Sequence, residues 1–562
     1  MKKKVEWKIL RPSIGWLTVP EHVLRAVERY GENPLFKWRT DEGWKSVTYR
    51  EFLRKINGIV KLLWDNGINK GDRIGILGEN SFLWASSMLA PGFLGAISVP
   101  IDHRLTQYEY RHIVKESEMK LCFVTDSKVE EVEEVRDKTG YPEIIIPFKE
   151  IKNIEEESVD YELPVLDDDF VILFTSGTTG ISKGVVLTHK NISANLDEFY
   201  QFFIFDPKDV FYLVLPLHHI FALTTSLIAP IMNGCTIAFA KSLRPVDLKR
   251  DMIESEPQEF MVVPILLEKL LKGIERELEK KGFLGKVIKE GFSIAGKVIG
   301  KSAYYPIRKS LGLHKLKYLI SGGAALPEWI SKEYEKMGFP ILQGYGLSET
   351  SPVISVNPPY KPKNKSVGLP FPNLEVRIDS ADGKEGEILV KGPSVMKEYY
   401  KNPELTKEVF TEDGFFRTGD IGCIDDEGYL YVTGRKKFVI VTKGGKNVYP
   451  EEVEDAILRS RFIQEVLVLP YYDEERKSEE IQAIVYPSFD EINDYLEKKG
   501  EKITEEAVRE IVEKEIRRWT KDLADYKKVK RFTIRDEEFP KTTTQKIKRT
   551  QFLGEYYKIK KS

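Results

Sequence analysis

Cysteine is nearly absent. Cys122, Cys235 and Cys423 are the only three in 562 residues, too widely separated for a metal-ligand spacing or a disulfide framework, so a reducing cytoplasm is the expected compartment. A charge excess is missing as well: Lys and Arg number 86 and Asp and Glu 88, a formal net charge of −2. That balance excludes a nucleic-acid binder driven by bulk charge. The opening Met1-Lys2-Lys3-Lys4-Val5-Glu6-Trp7 lacks the apolar stretch of a secretory signal. Two uncharged runs, residues 81–101 and 211–232, are interrupted by Pro91-Gly92 in the first and by Pro216, Pro230 and His218-His219 in the second. They read as buried helix–strand units rather than membrane spans. Fixed-period repeats and low-complexity tracts are also lacking.

What is present is the composition of a large globular chain. Hydrophobic residues make up 41% and charged residues 31%, above the usual ~25% charged. Lys and Glu dominate that fraction, a pattern of heat-adapted surfaces with ion-pair networks, or simply of a well-solvated one. Apolar strand-like runs such as Arg73-Ile74-Gly75-Ile76-Leu77, Ile97-Ser98-Val99-Pro100-Ile101 and Val171-Ile172-Leu173-Phe174 alternate with amphipathic helical stretches, which predicts α/β layers. The texture turns β-rich from about residue 375, with Glu387-Ile388-Leu389-Val390 and turns at Gly392-Pro393 and Asp413-Gly414. A self-contained α+β segment then follows: a strand at Phe438-Val439-Ile440-Val441, a helix opened by Pro450-Glu451-Glu452, two further strands and a long charged helix from Thr504. The expected division is residues 1–436, with a β-rich subdomain at about 375–436, and residues 437–562. Residues 266–313 read as helical, and their second half carries Lys286, Lys289, Lys297, Lys301, Arg308 and Lys309. Such a basic amphipathic stretch suits an anionic membrane surface, although core packing is the more ordinary use of an apolar helix face.

The chemistry concentrates in a few motifs. Phe174-Thr175-Ser176-Gly177-Thr178-Thr179-Gly180-Ile181-Ser182-Lys183-Gly184 combines glycines, which admit close backbone approach, with hydroxyls and one ammonium. That set suits a polyphosphate. It lacks the Walker spacing, and the strand-like Val185-Val186-Leu187 follows it where a Walker loop enters a helix. Gln343-Gly344-Tyr345-Gly346-Leu347-Ser348-Glu349-Thr350 follows the apolar Ile341-Leu342, so it is expected at a strand end, where α/β ligand sites gather. Its carboxylate suits Mg²⁺ on phosphates and its tyrosine face suits a purine.

With Arg417-Thr418-Gly419-Asp420, Gly434-Arg435-Lys436-Lys437 and Pro540-Lys541-Thr542-Thr543-Thr544-Gln545-Lys546, these motifs occur in one order along the chain. Together they resemble the adenylate-forming superfamily of acyl-CoA synthetases, adenylation domains and luciferases. Within it the chain is most similar to long-chain fatty-acid–CoA ligases, on Ser321-Gly322-Gly323-Ala324-Ala325-Leu326-Pro327, on Gly444-Gly445-Lys446-Asn447-Val448-Tyr449-Pro450-Glu451-Glu452, and on the helical stretch before Leu316. Three positions depart from the family pattern: Ser182 replaces a proline, Ser348 a threonine and Gln545 a glycine.

The resemblance implies a large N-terminal α/β domain, a small mobile C-terminal domain, and a two-step reaction. A carboxylic acid attacks the α-phosphorus of ATP, releasing pyrophosphate, and CoA then displaces AMP. It implies that Thr175, Ser176, Gly177, Thr178, Thr179 and Lys183 hold the phosphates, that Ser348 touches the α-phosphate and that Glu349 holds Mg²⁺. Gly323, Gly344 and Tyr345 would frame the adenine. Asp420, with Arg435 nearby, would bind the ribose. Lys546 would bridge the acid and the α-phosphate, Lys437 would be the pivot, and Lys443, Gly444 and Gly445 would enter for the CoA step. His219, in Leu215-Pro216-Leu217-His218-His219-Ile220-Phe221, matches a histidine lining the acyl pocket, while a lone histidine is also an ordinary core residue. A medium- to long-chain fatty acid, ATP and CoA are the implied substrates, with another carboxylic acid, or an acyl-carrier protein as acceptor, as the alternative. Peripheral membrane association and homodimerisation are left open.

Overall fold

The computed structural model describes residues 4–176, 182–280, 305–381, 383–441, 446–473, 478–541 and 547–553. By contacts the chain divides into two compact units. One comprises Met1–Val376, Val390–Arg417 and Asp425–Leu430; the other comprises Arg377–Leu389, Thr418–Ile424 and Tyr431–Ser562.

The first unit carries two sheets with helices packed on them, in keeping with the α/β layers expected from the alternating runs. In the seven-stranded sheet the parallel strands Arg73–Leu77, Ile97–Ile101, Leu121–Val124 and Ile144–Pro147 lie side by side. Ile74, Ile76, Val99, Ile101 and Val124 are buried, as a helix-covered parallel sheet requires, while Ile144 and Ile145 on the edge strand are part-buried. The nine-stranded sheet has a parallel centre, including Val210–Leu213, Glu259–Val262, Tyr318–Ser321 and Ile341–Gly346, and antiparallel strands at both margins. Its helices start where the sequence supplies caps. Thr18, Thr48, Thr106 and Thr188 each accept from the backbone three residues on, with Glu21, Glu51, Glu109 and Asn191 bonding back. The run at residues 81–101 becomes a helix at Phe82–Leu89, a 3₁₀ turn at Ala90–Leu94 and the strand Ile97–Ile101. No helix among the described residues is long and apolar enough to cross a membrane. Most of the basic stretch at 286–309 lies outside the described residues; Tyr305–Ser310 is helical.

The second unit holds a three-stranded sheet, Ile463–Asp473, Ser478–Pro487 and Arg531–Ile534, whose last strand runs parallel to the second. Val453 and Ile457 of Pro450–Ile457, and Val512 and Ile516 of Glu505–Thr520, bury against Val466, Val468 and Val485. The strand expected at 438–441 is shorter than the sequence suggested. Lys436–Phe438 is a 3₁₀ turn and only Ile440–Val441 is extended, because Phe438 turns its ring under the Arg549 guanidinium, 5.3 Å away. A four-stranded sheet of Glu375–Asp379, Gly386–Lys391, Phe416–Ile424 and Leu430–Arg435 accounts for the β-rich texture. Between its second and third strands, Glu398–Tyr399 leaves it and pairs antiparallel with Ser182–Thr188 of the seven-stranded sheet.

Candidate active site

The glycine- and hydroxyl-rich segment joins two antiparallel strands. Asp169–Ser176 enters and Ser182–Thr188 leaves, with Thr175 opposite Lys183 and Phe174 opposite Gly184. Position 184 has no room for a side chain: a Cβ there would lie 2.9 Å from Ile172 Cγ2 and 3.1 Å from Tyr400 Cβ. That close approach lets Glu398–Tyr399 pair alongside, with Tyr399 opposite Val185.

Tyr399, fully buried, completes a triangle with two of the residues picked from sequence. Lys183 Nζ lies 3.1 Å from Glu349 Oε1 and donates to the Tyr399 hydroxyl, while sitting 3.9 Å from the centre of the Tyr399 ring. The hydroxyl in turn donates to Glu349 Oε1 at 2.7 Å. A carboxylate only 8% exposed is thus held by an ammonium and a phenol, the compensation that a charge removed from water needs.

Local chain chemistry aims Glu349. It lies in the 3₁₀ turn Ser348–Thr350 directly after the strand Ile341–Gly346. A Cβ at Gly346 would lie 1.8 Å from the Pro352 carbonyl oxygen, so only glycine admits this turn. The Leu347 N–H donates to Thr350 Oγ1 at 3.0 Å, and Thr350 Oγ1 donates to the Pro352 carbonyl at 2.5 Å. The helix His189–Phe202, which follows the Lys183 strand, ties these pieces together. Asn191 Nδ2 donates to the carbonyls of Pro393 and Val395 at 2.7 and 2.9 Å, and Asn195 Nδ2 donates to that of Val353 at 2.8 Å. Gly323 follows the strand Tyr318–Ser321, and Gly344 lies in the latter half of the adjacent parallel strand Ile341–Gly346, where Ser321 pairs with Gln343. They and the half-buried Tyr345 therefore share the carboxyl ends of the strands.

His219 lies beyond the carboxyl end of Val210–Leu213 and opens the short helix Ile220–Ala222, which passes into a π-helical turn at Leu223–Ile228. Such turns recur at functional sites. The Phe221 ring lies so close to Gly322 that a Cβ there would approach it to 3.2 Å. His219 is half-buried; its neighbour His218 is buried, with the two ring centres 4.3 Å apart. Asp102, just past Ile97–Ile101, faces His218: Oδ2 is 3.3 Å from His218 Nε2, although the ring is out of line for a hydrogen bond. Burial opposes ionisation of Asp102, but His218 and Arg104 outweigh it and hold its pKa below the usual carboxylate range. Burial lowers the pKa of the adjacent His103, against the opposing pull of Glu79 and Asp102.

Asp420 and Arg435 meet in the second unit. Arg435 Nε is 2.6 Å from Asp420 Oδ1, and the Asp420 N–H donates to Thr418 Oγ1 at 3.1 Å, whose hydroxyl donates to the Ile388 carbonyl at 2.7 Å. Lys437 lies exposed in the 3₁₀ turn Lys436–Phe438. The backbone of Ser176 ends its strand. Gly177, Thr178, Thr179, Lys443, Gly444, Gly445 and Lys546 lie outside the described residues. Among the described residues no three His, Cys, Asp or Glu side chains gather as a metal cluster. Sequence reasoning assigned no role to Tyr399, Asp102 or His218. Their partners are distant in sequence or on another sheet; no motif marks Tyr399 or Asp102, and His218 was passed over for its neighbour His219.

A profile of the AMP-binding enzyme family matches residues 23–400, more than half of the chain. A long-chain-fatty-acid–CoA ligase of Bacillus subtilis is 29% identical over 559 residues, covering 91% of this chain and 90% of its own. A malonate–CoA ligase of Arabidopsis thaliana is also 29% identical, over 511 residues, covering 86% of this chain and 78% of its own. The solved structure of ATP-bound MatB from Rhodopseudomonas palustris superposes with a TM-score of 0.77 at 24% identity, covering 97% of this chain and 100% of that one. That likeness is one of fold, and it agrees with a large α/β domain followed by a smaller C-terminal one. The two-sheet architecture, the hydroxyl-rich motif with its lysine, and the profile match converge: the chain belongs to the AMP-binding enzyme family, the adenylate-forming superfamily.

Proposed function

We propose that this protein is an ATP- and Mg²⁺-dependent ligase that joins a medium- to long-chain fatty acid to CoA through an acyl-adenylate. The observation that carries the reading is the Lys183–Tyr399–Glu349 triangle: a cation for phosphates and a single held carboxylate for a metal, brought together from the strands Ser182–Thr188 and Glu398–Tyr399 and the 3₁₀ turn Ser348–Thr350. One carboxylate is what Mg²⁺ ordinarily takes from a protein when substrate phosphates supply other ligands. The ion would neutralise charge on the phosphates. A free carboxylate is a poor electrophile, so activation must precede the thioester. A carboxylate oxygen bonds to the α-phosphorus as the bond to the β-phosphate oxygen breaks and pyrophosphate leaves. The CoA sulfur then bonds to the acyl carbon as AMP leaves. Both steps build charge on oxygen, so catalysis here is positioning and electrostatics.

In this reading Thr175, Ser176, Gly177, Thr178, Thr179 and Lys183 hold the outer phosphates, and Ser348 touches the innermost. Gly323, Gly344 and Tyr345 frame the base, Asp420 takes the ribose hydroxyls with Arg435, and His219 lines the acyl pocket. Lys546 bridges the two anions that otherwise repel. Residues 437–562 act as the mobile domain, pivoting at Lys437 to bring Lys443, Gly444 and Gly445 to the thioester step.

A second reading keeps the adenylate and changes the acid or the acceptor. It is favoured by the equal identity to a malonate–CoA ligase and a fatty-acid–CoA ligase. Acid-dependent exchange of labelled pyrophosphate into ATP decides, using butyrate, octanoate, dodecanoate, palmitate, benzoate and malonate, followed by AMP release with CoA or a carrier protein as acceptor. Exchange rising with chain length, with CoA as acceptor, is the expected result. Faster exchange with benzoate or malonate selects the second reading, and no exchange with any acid refutes both.

A further inference from the structure

We propose that Asp102 and His218 are positioning residues for the acid substrate: the Asp102 carboxylate fixes the buried His218 ring, and that ring fixes the face His219 presents to the acid. The inference rests on the adenylate-forming reading above. Its basis is an arrangement that the named motifs do not contain.

The two residues come from different sheets. Asp102 follows Ile97–Ile101 of the seven-stranded sheet, and His218 follows Val210–Leu213 of the nine-stranded one. They meet where the carboxyl ends of the two sets of strands converge, the end at which α/β sheets bind ligands. Both are removed from water, at 6% and 8% exposure. A carboxylate so placed persists as an ion only when it is held. Asp102 Oδ1 accepts from the Arg104 backbone N–H at 3.0 Å and from Arg104 Nε at 3.1 Å. Asp102 Oδ2 accepts from Arg104 Nη2 at 3.4 Å and also faces the His218 imidazole, so Arg104 holds the carboxylate while its second oxygen is aimed at the ring. His218 in turn lies beside His219, their planes inclined by 55°.

The backbone of this segment is fixed by a different residue. Asn80 Nδ2 donates to the Leu215 carbonyl at 2.7 Å, and the Leu217 N–H donates to Asn80 Oδ1 at 2.9 Å. Asn80 thus holds the chain around Pro216 from both sides, and loss of Asp102 leaves that clamp in place. What Asp102 adds is the orientation of the rings. A carboxylate, a buried imidazole and a half-buried imidazole stand in succession, and the chain after them places Phe221 against Gly322. A ring that must meet a substrate within a few tenths of an ångström gains from such backing.

The test is steady-state pyrophosphate exchange by the full-length protein, with the panel acid that the wild type uses fastest. Asp102→Asn and His218→Gln are each expected to raise KM for the acid about 10-fold, the effect of one lost contact to a charged group. KM for ATP should stay within about twofold of wild type. The double variant should be no worse than the poorer single one, since both act through one ring. Asp102→Glu, which keeps the charge, should recover part of the loss. An unchanged KM for the acid in both variants overturns the inference. So do parallel rises in both KM values with a lowered melting temperature, and independent, multiplying effects in the double variant. If the wild type exchanges with no acid, the ligase reading fails first and this inference falls with it; exchange by the wild type with unaffected variants removes this inference alone.

Discussion

Glu198 offers a quantitative test of the scaffold beneath the candidate site. It lies on the helix His189–Phe202, whose Asn191 and Asn195 hold the segments around Glu349 and Tyr399. The residue is 4% exposed, and its Oε2 has no hydrogen-bond partner among the described residues. Burial raises its pKa to about 8 from the ordinary 4.5; the neighbouring Asp197 adds to the rise, and the Asn373 backbone N–H opposes it. Between those two values the unfolded chain has lost the proton while the folded chain keeps it. Stability therefore falls as pH rises through that window and levels off above it. Each pH unit removes about 1.4 kcal/mol, so the total is at most about 5 kcal/mol. Glu198→Gln keeps the shape and an oxygen that accepts from Asn373 but carries no titrating proton. Urea unfolding followed by tryptophan fluorescence from about pH 4.5 to about pH 9 should show the two proteins nearly equal at the acid end. The variant should gain steadily, reaching at least about 2 kcal/mol near pH 8. A difference that stays flat with pH, or that favours the wild type at alkaline pH, refutes an uncharged Glu198 in the folded protein.

Two further outcomes follow from the site. Tyr399→Phe removes the hydroxyl shared by Lys183 and Glu349 while preserving the ring under the ammonium. It should reduce kcat/KM for Mg-ATP by roughly 10-fold or more, the effect of a hydrogen bond to a charged group, with less change in KM for the acid; wild-type ATP kinetics would remove Tyr399 from the site. Lys546→Ala should abolish pyrophosphate exchange yet spare CoA thioester formation from supplied acyl-adenylate, and equal loss of both halves would refute its assignment to the first step.

The legible parts of this protein were those written in short stretches of chain. Arg73–Leu77 and Ile97–Ile101 are strands as their apolar runs predict, because residues buried on both faces need no alternation. A strand, Ser182–Thr188, carries Lys183 and follows the hydroxyl-rich motif, as the β-branched Val185-Val186 indicated. Glu349 stands at a strand end, as placed from the apolar pair before it. By contrast, the short extent of Ile440–Val441 was hidden, because Phe438 is committed to a cation from a distant part of the chain. Tyr399 was hidden for a related reason: its segment looks like part of the β-rich run around it, yet it crosses to another sheet.

Local order, helix caps, strand runs and the chemical character of the hydroxyl-rich motif were determined by the sequence alone, because each depends on neighbours within a few residues. Which charges meet was decided by the tertiary structure. Lys183 reaches Glu349, and Asp102 reaches His218, only after two sheets have come together, and Lys183 reaches Tyr399 only because Glu398–Tyr399 crosses to pair with its strand. A charge pair depends on distance in space and on the water excluded around it, and neither quantity is written in residue order.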